Sequence, residues 1–429
     1  MKRAVVLGGG VAGIAAAFAL RDRGVDVELI ESRGWLGGRA FTVPQRGELD
    51  APIDNGPHVI LGCYDHFRRL LRRIGSDDRF ERTPALRLAF VDRDGERSVL
   101  GLSRFPAPLA LPWAILRFGG VPLGARLRLL WAMSTIPLAR GAGRSLEDWI
   151  AARGQRDRPR AFVWDPLCRA IMNADPKDVS ASLFLATLRR AFLGSASRAA
   201  IHVPARPWSQ IVGEPALAQL GREGVKVRLG ARVTEMVVEA RRTVAVEVGG
   251  ETLRIDEDVA LFSAMPWHAL QKLTGERVRL VGSPIVSVYF ELESDVGLPD
   301  DPVVALVDGD PFHFVCRAPD APPGTFAVLS GGCREFDGMR TDAIEASARR
   351  QLQPYFPRAD LERGRARVVK ESRATFVGAP GSEVFRPKPG RHPDIENLWL
   401  CGDWTDVGLP STLEGAAESA ARAVADFGC

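Results

Sequence analysis

Three glycines near the start of the chain have the spacing of a dinucleotide-binding turn. Gly8, Gly10 and Gly13 form a G-x-G-x-x-G pattern directly after a short apolar run. In such a turn the first glycine allows a tight bend, the second lets the backbone approach a pyrophosphate, and the third packs helix against strand. The helix would begin at Val11 and Ala12 and present free N–H groups to the phosphates. The pattern therefore predicts a dinucleotide site.

An acid follows where such a site needs one. Glu31 ends a second apolar run, 27–31, about 20 residues beyond the glycines, where a carboxylate can accept hydrogen bonds from ribose hydroxyls. Ser32 comes next and completes the candidate ribose contacts. An acid at this position, instead of a basic residue, argues against a phosphorylated nicotinamide.

A second glycine pair favours a longer cofactor. Gly37 and Gly38 precede Arg39, so the backbone can pass close to a ligand while a guanidinium reaches a phosphate. Without a second G-x-G-x-x-G pattern, we expect no built-in nicotinamide domain.

The C-terminal end carries a matching polar pattern. A strand-like run, 397–404, contains a Gly-Asp pair, and a Thr-Leu-Glu-Gly-Ala sequence opens a closing helix. The pattern includes Gly402, Asp403, Pro410, Ser411, Thr412 and Glu414.

These motifs at both ends resemble the flavoprotein superfamily of amine oxidases and carotenoid desaturases. The resemblance implies an α/β fold, in which a glutathione-reductase-type Rossmann domain binds FAD and an inserted α+β domain binds substrate. In that superfamily the Gly-Asp pair contacts the ribityl-phosphate end of FAD, and the last helix aims its N-terminus at the isoalloxazine ring. Val233 would contact the adenine through its backbone. The resemblance also implies cofactor contacts by the six C-terminal residues just named and, near the flavin, by Asn55, Gly56, Pro57 and His58.

The expected domain bounds follow from changes in pattern along the chain. Residues 1–83, 206–284 and 371–429 should form the FAD domain. Residues 84–205, largely helical, and 285–370, largely strands, should form the substrate domain. Its sheet would form the floor of a substrate cavity above the flavin.

The final motif indicates which branch of the superfamily is closer. Amine oxidases usually place an aromatic residue just before the final Glu-Gly-Ala, where it helps to form a cage for the amine. Here that place holds Pro410, Ser411 and Thr412. A cationic amine is therefore a poor candidate substrate, and the motif looks instead like that of the polyisoprenoid desaturases.

Within that branch three segments narrow the match. The run 54–64, the run 164–173 and the Glu-Pro-Ala at 214–216 resemble the bacterial squalene-associated FAD-dependent desaturases, also called hydroxysqualene dehydroxylases. The resemblance extends over essentially the whole chain. One departure is Pro57, which occupies a place associated with glutamine in relatives, so no side-chain amide acts there.

The resemblance implies reductive removal of a hydroxyl group from hydroxysqualene, which gives squalene for hopanoid synthesis. The nearest alternative is a carotenoid or phytoene-type desaturase, which runs the same fold in the oxidative direction. An alternative of another class is a prenyl-binding protein without catalysis, like the GDP-dissociation inhibitors of small GTPases. The sequence names no external electron donor.

Loss of the hydroxyl group requires a proton, because hydroxide is a prohibitive leaving group near neutral pH. His58 is the first candidate for the general acid, since imidazole titrates in the useful range. Asp165 is the second, since burial beside Trp164 and Pro166 would keep it protonated. The alternatives are that His58 only holds backbone and that Asp165 caps a helix before Pro166.

Composition narrows the remaining function classes. A net charge of +4 over 429 residues leaves no nucleic-acid footprint, and the six cysteines form no C-x-x-C pair, so we expect no metal site. Lys2 and Arg3 precede apolar residues, but adjacent glycines interrupt them, so a signal peptide is not expected. These features predict a cytoplasmic protein.

One segment mixes apolar residues with arginines. Residues 105–138 include Trp113, Trp131, Arg117, Arg126 and Arg128. Its most apolar stretch, 105–116, is too short and too rich in proline for a membrane span. It is interpreted either as ordinary core helices or as a surface that makes peripheral contact with the inner face of the cytoplasmic membrane.

Overall fold

The computed structural model describes residues 2–45 and 47–428, so the sixth cysteine, Cys429, lies outside it. The strands are β1 (Arg3–Leu7), β2 (Asp26–Ile30), β3 (Ile60–Leu61), β4 (Phe80–Arg82), β5 (Arg87–Val91), β6 (Arg97–Gly101), β7 (Ile201–Pro204), β8 (Lys226–Arg228), β9 (Val233–Glu239), β10 (Arg242–Val248), β11 (Glu251–Arg254), β12 (Val259–Ser263), β13 (Gly282–Glu291), β14 (Val303–Leu306), β15 (Phe314–Arg317), β16 (Thr325–Gly331), β17 (Arg365–Phe376), β18 (Gly390–Arg391) and β19 (Leu398–Leu400).

The glycine motif leads into the first α-helix, and the C-terminal motif leads into the last. They are α1 (Val11–Arg21), α2 (Asp65–Arg73), α3 (Ala107–Arg117), α4 (Leu123–Thr135), α5 (Leu146–Ala151), α6 (Asp165–Met172), α7 (Ala181–Phe192), α8 (Glu214–Arg222), α9 (Trp267–Thr274), α10 (Thr341–Tyr355) and α11 (Leu413–Phe427). Two π-helical turns, Arg160–Trp164 and Ser209–Gly213, run directly into α6 and α8.

The first sheet has the doubly wound arrangement that the glycine motif predicts. Its strand order is β18-β19-β12-β1-β2-β8, and β1, β2, β8, β12 and β19 are parallel. A parallel sheet is covered on both faces, so its strands are continuous apolar runs, as in β1 and β12. Helices α1 and α11 pack together on one face. Ligands of such sheets bind at the carboxyl ends of the strands, where the glycine turn lies.

The second large sheet has seven strands in the order β17-β13-β16-β15-β14-β5-β6. Its pairs are antiparallel except β14 with β5, which are parallel. One face packs on α10 through residues such as Val288 and Phe290. The other face lies under α3, α4, α6 and α7. The two sheets confirm the predicted fold class, an α/β dinucleotide-binding domain with an α+β second domain.

The predicted domain bounds remain predictions, and two strands lie across them, β13 at residue 285 and β17 at residue 371. β17 continues through residue 371 without a break. β7, from the predicted insertion, pairs with β3 and β4 of the first segment. The structure therefore has no clean break between the two predicted domains at these bounds.

Helices α3 and α4 form a hairpin with an unusual outer face. Large apolar side chains are exposed at four-residue spacing on both helices, namely Leu109 and Trp113 on α3, and Leu123, Leu127 and Trp131 on α4. Trp113 and Trp131 are 55% and 54% exposed. Residues four apart lie on the same side of a helix, so each helix presents an apolar stripe to solvent. Throughout residues 2–45 and 47–428, none of the helices combines the length and the apolar character needed to cross a membrane.

Candidate active site

The glycine turn is formed as its spacing predicts. Gly8 has a φ of +107°, and its N–H donates a 2.8 Å hydrogen bond to the carbonyl of Ile30, which joins β1 to β2. A Cβ added at Gly13 would lie 1.8 Å from the Gly8 carbonyl oxygen. A larger residue at position 13 would therefore force α1 away from the end of β1, and one at position 8 would be strained by its backbone conformation and crowd the Ala264 backbone.

The second glycine pair lies against the first. The N–H of Gly37 donates to the carbonyl of Gly9 at 2.9 Å, and a Cβ on Gly38 would approach the Gly10 Cα to 2.9 Å. Within α1, the first turn has no acidic residue, and Gly10 as N-cap offers no side-chain acceptor. The N–H groups that open α1 are thus available to an anion beside a tightly packed pair of backbones.

Glu31 is fixed at the edge of this turn. Its carboxylate is buried and accepts hydrogen bonds from the N–H of Gly9 and of Arg33, each at 2.7 Å, and from the Ser32 hydroxyl at 3.0 Å. The Glu31 carbonyl accepts from the N–H of Ala231 at 2.9 Å, which brings the segment before β9 alongside. Val233 begins β9 and is partly buried. The predicted ribose and adenine contacts are therefore close in space.

The residues predicted to hold the rest of the cofactor come together from three distant segments. Arg39 pairs with Asp403 at 2.5 Å and donates to the Ala374 carbonyl at 2.6 Å. Ser411 donates to the other oxygen of Asp403. Thr412 is the N-cap of α11, and its hydroxyl accepts from the N–H of Gly415 at 3.0 Å. Pro410 is buried beside them.

The Glu414 carboxylate forms hydrogen bonds within the protein that were not predicted from the sequence. Its carboxylate accepts from the N–H of His66 at 3.1 Å and of Phe67 at 2.9 Å, and it pairs with Arg190 at 2.8 Å. The carboxylate therefore satisfies the first turn of α2 and neutralises an arginine of α7. Its predicted contact with the cofactor stays a prediction, and the side-chain oxygens already have protein partners.

The turn at 54–58 holds His58 in a defined orientation. Its Nδ1 lies 2.6 Å from the Gly56 carbonyl oxygen, and because a carbonyl can only accept, Nδ1 carries the proton. Burial lowers the pKa of His58, and the charge of Arg39 lowers it further against the opposing effect of the Gly56 carbonyl. His58 is therefore neutral near pH 7, and Nε2 is an acceptor. Asn55 donates to the Arg39 carbonyl at 3.3 Å, which joins the turn to the predicted phosphate contacts.

Asp165 lies at the start of α6, which packs over the seven-stranded sheet. It begins α6 directly after the Arg160–Trp164 turn, so it lies within continuous helical backbone and is not the cap that was considered. Arg160 donates to it at 3.2 Å and to Glu147 at 2.6 Å. Burial raises the pKa of Asp165, although the Arg160 charge opposes that shift. The structure thus places it in a surface ion-pair cluster.

Two buried residues of this region, Asp54 and Trp208, were not predicted as site residues from the sequence. Asp54 is 3% exposed and accepts hydrogen bonds from the Thr42 hydroxyl at 2.8 Å and from the N–H of Trp208 at 3.0 Å. Burial raises the pKa of Asp54 to about 6. The indole of Trp208 contacts the His58 ring edge-on, with centroids 5.4 Å apart. The sequence signal for Asp54 was its position in the run 54–58, which ends at the candidate catalytic histidine.

An apolar cavity lies between the α3–α4 hairpin and the seven-stranded sheet. Its volume is about 20 Å³, room for roughly one water molecule, so the side chains around it are closely packed in this structure. All thirteen side chains that line it are apolar: Leu86, Leu88, Phe90, Leu100, Leu111, Ile115, Phe118, Leu129, Met133, Phe162, Val163, Leu167 and Phe192.

One row of the sheet connects this cavity with the turn that carries His58. In the strand register, Phe90, Ala305, Phe314, Leu329 and Ser287 are successive opposite partners, so they point to the same face. Phe314 and Leu329 remain partly exposed on this covered face. A Cβ on Gly56 would lie 3.5 Å from the Ser287 hydroxyl. The row spans four strand spacings, about 19 Å.

Metal chemistry has little support in the described chain. Of the two groups close enough for a shared ion, the first, His66 with Glu414 and Glu418, already has Arg190 on both carboxylates. In the second, His392 Nδ1 accepts from two backbone N–H groups. The expectation of no metal stays a prediction.

Comparison with known proteins agrees with this geometry. The family model described as flavin containing amine oxidoreductase matches residues 11–427. The chain is 30% identical to a hydroxysqualene dehydroxylase of Rhodopseudomonas palustris and 28% identical to one of Sinorhizobium fredii, in each case over 98% of this chain and 97% of the relative. It is 25% identical to a probable zeta-carotene desaturase of Synechococcus elongatus, with the same shares covered.

Solved structures share the fold. An oxidoreductase of Methanosarcina mazei superposes with a TM-score of 0.75 at 16% identity, over 98% of this chain and 99% of that one. The cyclohexylamine oxidase of Brevibacterium oxydans gives 0.73 at 16% identity, over 99% and 98%.

The residues present fit FAD. The close backbones of Gly10 and Gly38, the uncapped start of α1, the buried Glu31 carboxylate and the Arg39–Asp403 pair provide donors and acceptors for a pyrophosphate flanked by hydroxyl-bearing groups. Together with the family match over residues 11–427, these features mean that the chain is an FAD-dependent oxidoreductase and belongs to the flavin containing amine oxidoreductase family.

Proposed function

We propose that this protein removes the hydroxyl group of hydroxysqualene reductively and produces squalene, in the synthesis of hopanoids. Support comes from the full-length similarity to proteins named hydroxysqualene dehydroxylase. The absence of an aromatic residue at 410–412 speaks against an amine.

The observation that carries this proposal is the apolar cavity and the sheet row that leads from it. A C30 isoprenoid alcohol carries one hydroxyl group on a long apolar chain, so it requires an apolar binding surface with a single polar position, and the α3–α4 hairpin would have to move outward to make room for it. The cavity lining is entirely apolar, and the row ends beside Gly56 and the His58 turn. An amine substrate would instead require acceptors along this path.

Reduced FAD, when bound, supplies the hydride that replaces the hydroxyl group. The remaining steps depend on residues of the chain. Protonation of the hydroxyl oxygen allows the allylic C–O bond to ionise, and the apolar lining keeps water from the resulting carbocation. The proton must come from a group near the flavin end of the row.

His58 is the proposed proton donor, with Asp165 as second candidate. Because His58 is neutral with its proton on Nδ1, it must first take up a second proton on Nε2 before it can act as an acid. The Gly56 carbonyl favours the resulting imidazolium, since it accepts from Nδ1–H in both states. Asp165 would need to move from Arg160 toward the row, so the geometry favours His58.

We also propose peripheral contact of the α3–α4 hairpin with the inner face of the cytoplasmic membrane. Isoprenoid alcohols dissolve in bilayers, and the two exposed apolar stripes lie on the outside of the same helices whose inner faces line the cavity. Trp113 carries Arg117 over its ring at 4.4 Å, a pairing suited to the headgroup boundary.

The direct test is a single incubation under anaerobic conditions. Purified protein, reduced FAD and hydroxysqualene should yield squalene, with one equivalent of FAD oxidised per squalene formed. If hydroxysqualene is recovered intact while FAD remains bound and reduced, the proposal fails.

A second candidate function is favoured by the similarity to zeta-carotene desaturases. A desaturase would use oxidised FAD and would form new double bonds in a carotene. Incubation of the oxidised protein with zeta-carotene therefore separates the two, because the dehydroxylase should leave the carotene spectrum unchanged.

A further inference from the structure

The Asp54 carboxylate forms hydrogen bonds with two segments that lie far apart in the sequence. One carboxylate oxygen accepts from the Thr42 hydroxyl at 2.8 Å and from the N–H of Trp208 at 3.0 Å. Thr42 in turn accepts from the N–H of Ser209 at 2.9 Å. Asp54 and Thr42 therefore satisfy the first N–H groups of the Ser209–Gly213 turn, which no residue within that turn can reach.

Trp208 connects these hydrogen bonds with His58 in the candidate active site. Its side chain is fully buried, and its ring contacts Phe67, Phe80 and His58, with centroid distances of 6.2, 6.1 and 5.4 Å. Phe67 and Phe80 belong to α2 and β4, so the indole packs within the core of the first domain, and its position there depends on where the Trp208 backbone is held.

His58 has two contacts that fix its ring. The Gly56 carbonyl holds Nδ1, and the Trp208 indole lies against the ring edge. With Nδ1 engaged, the orientation of Nε2 depends on the plane of the ring, which a single hydrogen bond leaves free to tilt. The indole supplies the second restraint.

We propose that Asp54 is a positioning residue for His58, which it holds in orientation through the backbone of Trp208 and the edge of the Trp208 indole. This inference rests on the proposed function only for the role of His58 as proton donor. The chain of contacts from Asp54 through Trp208 to His58 can be tested without substrate.

The proposal makes the hydrogen-bond acceptor of Asp54 important and its charge unimportant. Asp54→Asn keeps an oxygen that can accept from Thr42 and Trp208, whereas Asp54→Ala removes it. Thr42→Val removes one donor at nearly constant volume and disturbs the attachment less. Thr187→Val is the matched control, because Thr187 is also buried and bonds only within α7.

The first readout is the titration of the His58 ring by NMR in protein labelled at its six histidines, with FAD bound. In the parent, burial and Arg39 keep the pKa of His58 below its ordinary value. In Asp54→Ala, and to a smaller extent in Thr42→Val, the pKa of His58 should rise toward the ordinary value as the indole withdraws. Asp54→Asn and Thr187→Val should match the parent.

The second readout is single-turnover oxidation of pre-reduced FAD by hydroxysqualene. Asp54→Ala should slow this step about 10- to 100-fold, the range expected for a misplaced reacting group, and Asp54→Asn should restore most of the rate. The proposal is overturned if Asp54→Ala, or Thr42→Val where the former does not fold, leaves the His58 titration unchanged. It is also overturned if Asp54→Asn is as slow as Asp54→Ala. If the parent forms no squalene while the titration shifts as described, the proposed function fails and the positioning role stands.

Discussion

The guanidinium of Arg190 donates a 2.8 Å hydrogen bond to the carboxylate of Glu414, and this contact joins α7 to the start of α11. The Glu414 side chain is 1% exposed, so its charge is stabilised by Arg190, by the N–H groups of α2 and by the His66 ring, whose Nδ1 lies 3.1 Å away. Helix α11, which the family resemblance aims at the flavin, is thus held in place by α7 and α2.

Removal of Arg190 should destabilise the protein strongly. Arg190→Ala leaves a buried carboxylate without its cation, and we expect a loss of about 3–5 kcal/mol in the free energy of unfolding. Arg198→Ala is the matched control, because its ion pair with Asp65 is exposed and should contribute at most about 1 kcal/mol. Chemical denaturation of both variants measures the difference, and equal losses would contradict the prediction.

Substitution of Gly38 should abolish tight FAD binding. Gly38 has a φ of +62°, and a Cβ there would lie 2.9 Å from the Gly10 Cα, so Gly38→Ala separates the two backbones that flank the pyrophosphate. Gly34→Ala, at a position with open space around it, should bind FAD like the parent. FAD released by acid precipitation, measured per mole of protein, distinguishes them. A Gly38→Ala protein with full FAD content would refute this assignment.

Glu31 should contribute to FAD affinity through the ribose. Glu31→Ala should weaken binding by about 1–3 kcal/mol, the range for a lost hydrogen bond to a charged group. Glu31→Gln, which keeps one acceptor oxygen, should lose less. Titration of the apoprotein with FAD, followed by flavin fluorescence, gives the dissociation constants. Identical constants for all three proteins would remove Glu31 from the site.

The stability of the protein should fall in mild acid partly through His202. This residue is 5% exposed, and neither ring nitrogen has a partner in the described parts of the chain. Burial, with the charges of Arg68 and Arg82, lowers the pKa of His202 to about 4. The folded state thus binds fewer protons than the unfolded state between pH 6.5 and pH 4, so stability is present above this window and is lost as the pH falls.

The His202 contribution can be isolated by substitution. His202→Phe removes the titration and keeps the volume, so it should lose about 2 kcal/mol less than the parent between pH 7 and pH 5. Asp54 acts in the opposite direction, since its raised pKa favours the folded state at low pH, and it is the same in both proteins. Parallel stability curves for the two proteins would show that His202 does not titrate differently on unfolding.

Membrane attachment should depend on the outer face of the α3–α4 hairpin. Trp113→Glu combined with Trp131→Glu should leave the protein at the bottom of a liposome flotation gradient, while the parent floats. Both positions are more than half exposed, so folding should not change. Val281→Glu with Val384→Glu, at exposed positions elsewhere, should float like the parent. If the parent sinks with neutral and anionic vesicles alike, the hairpin has no such role.

The parts of the fold around the candidate site that could be predicted from the sequence are the local ones. The glycine turn, α1 and β2 depend on residues within about 30 positions of one another, and their spacing alone determines the geometry. Glu414 could not be assigned in this way, because its partners His66 and Arg190 lie 348 and 224 positions away. The role of Asp54 depends likewise on Trp208, 154 positions away.

The order of strands in the first sheet has a consequence for biosynthesis. β19 pairs with β12 and delivers Gly402 and Asp403 to the end of a sheet whose first strand ends at Leu7. At roughly 5–20 residues per second, synthesis of the roughly 134 residues between β12 and β19 takes about 7–27 s. Throughout that time the β12 edge is unpaired on its β19 side and the flavin pocket lacks one wall, so the nascent protein must be protected from aggregation before any cofactor can be captured.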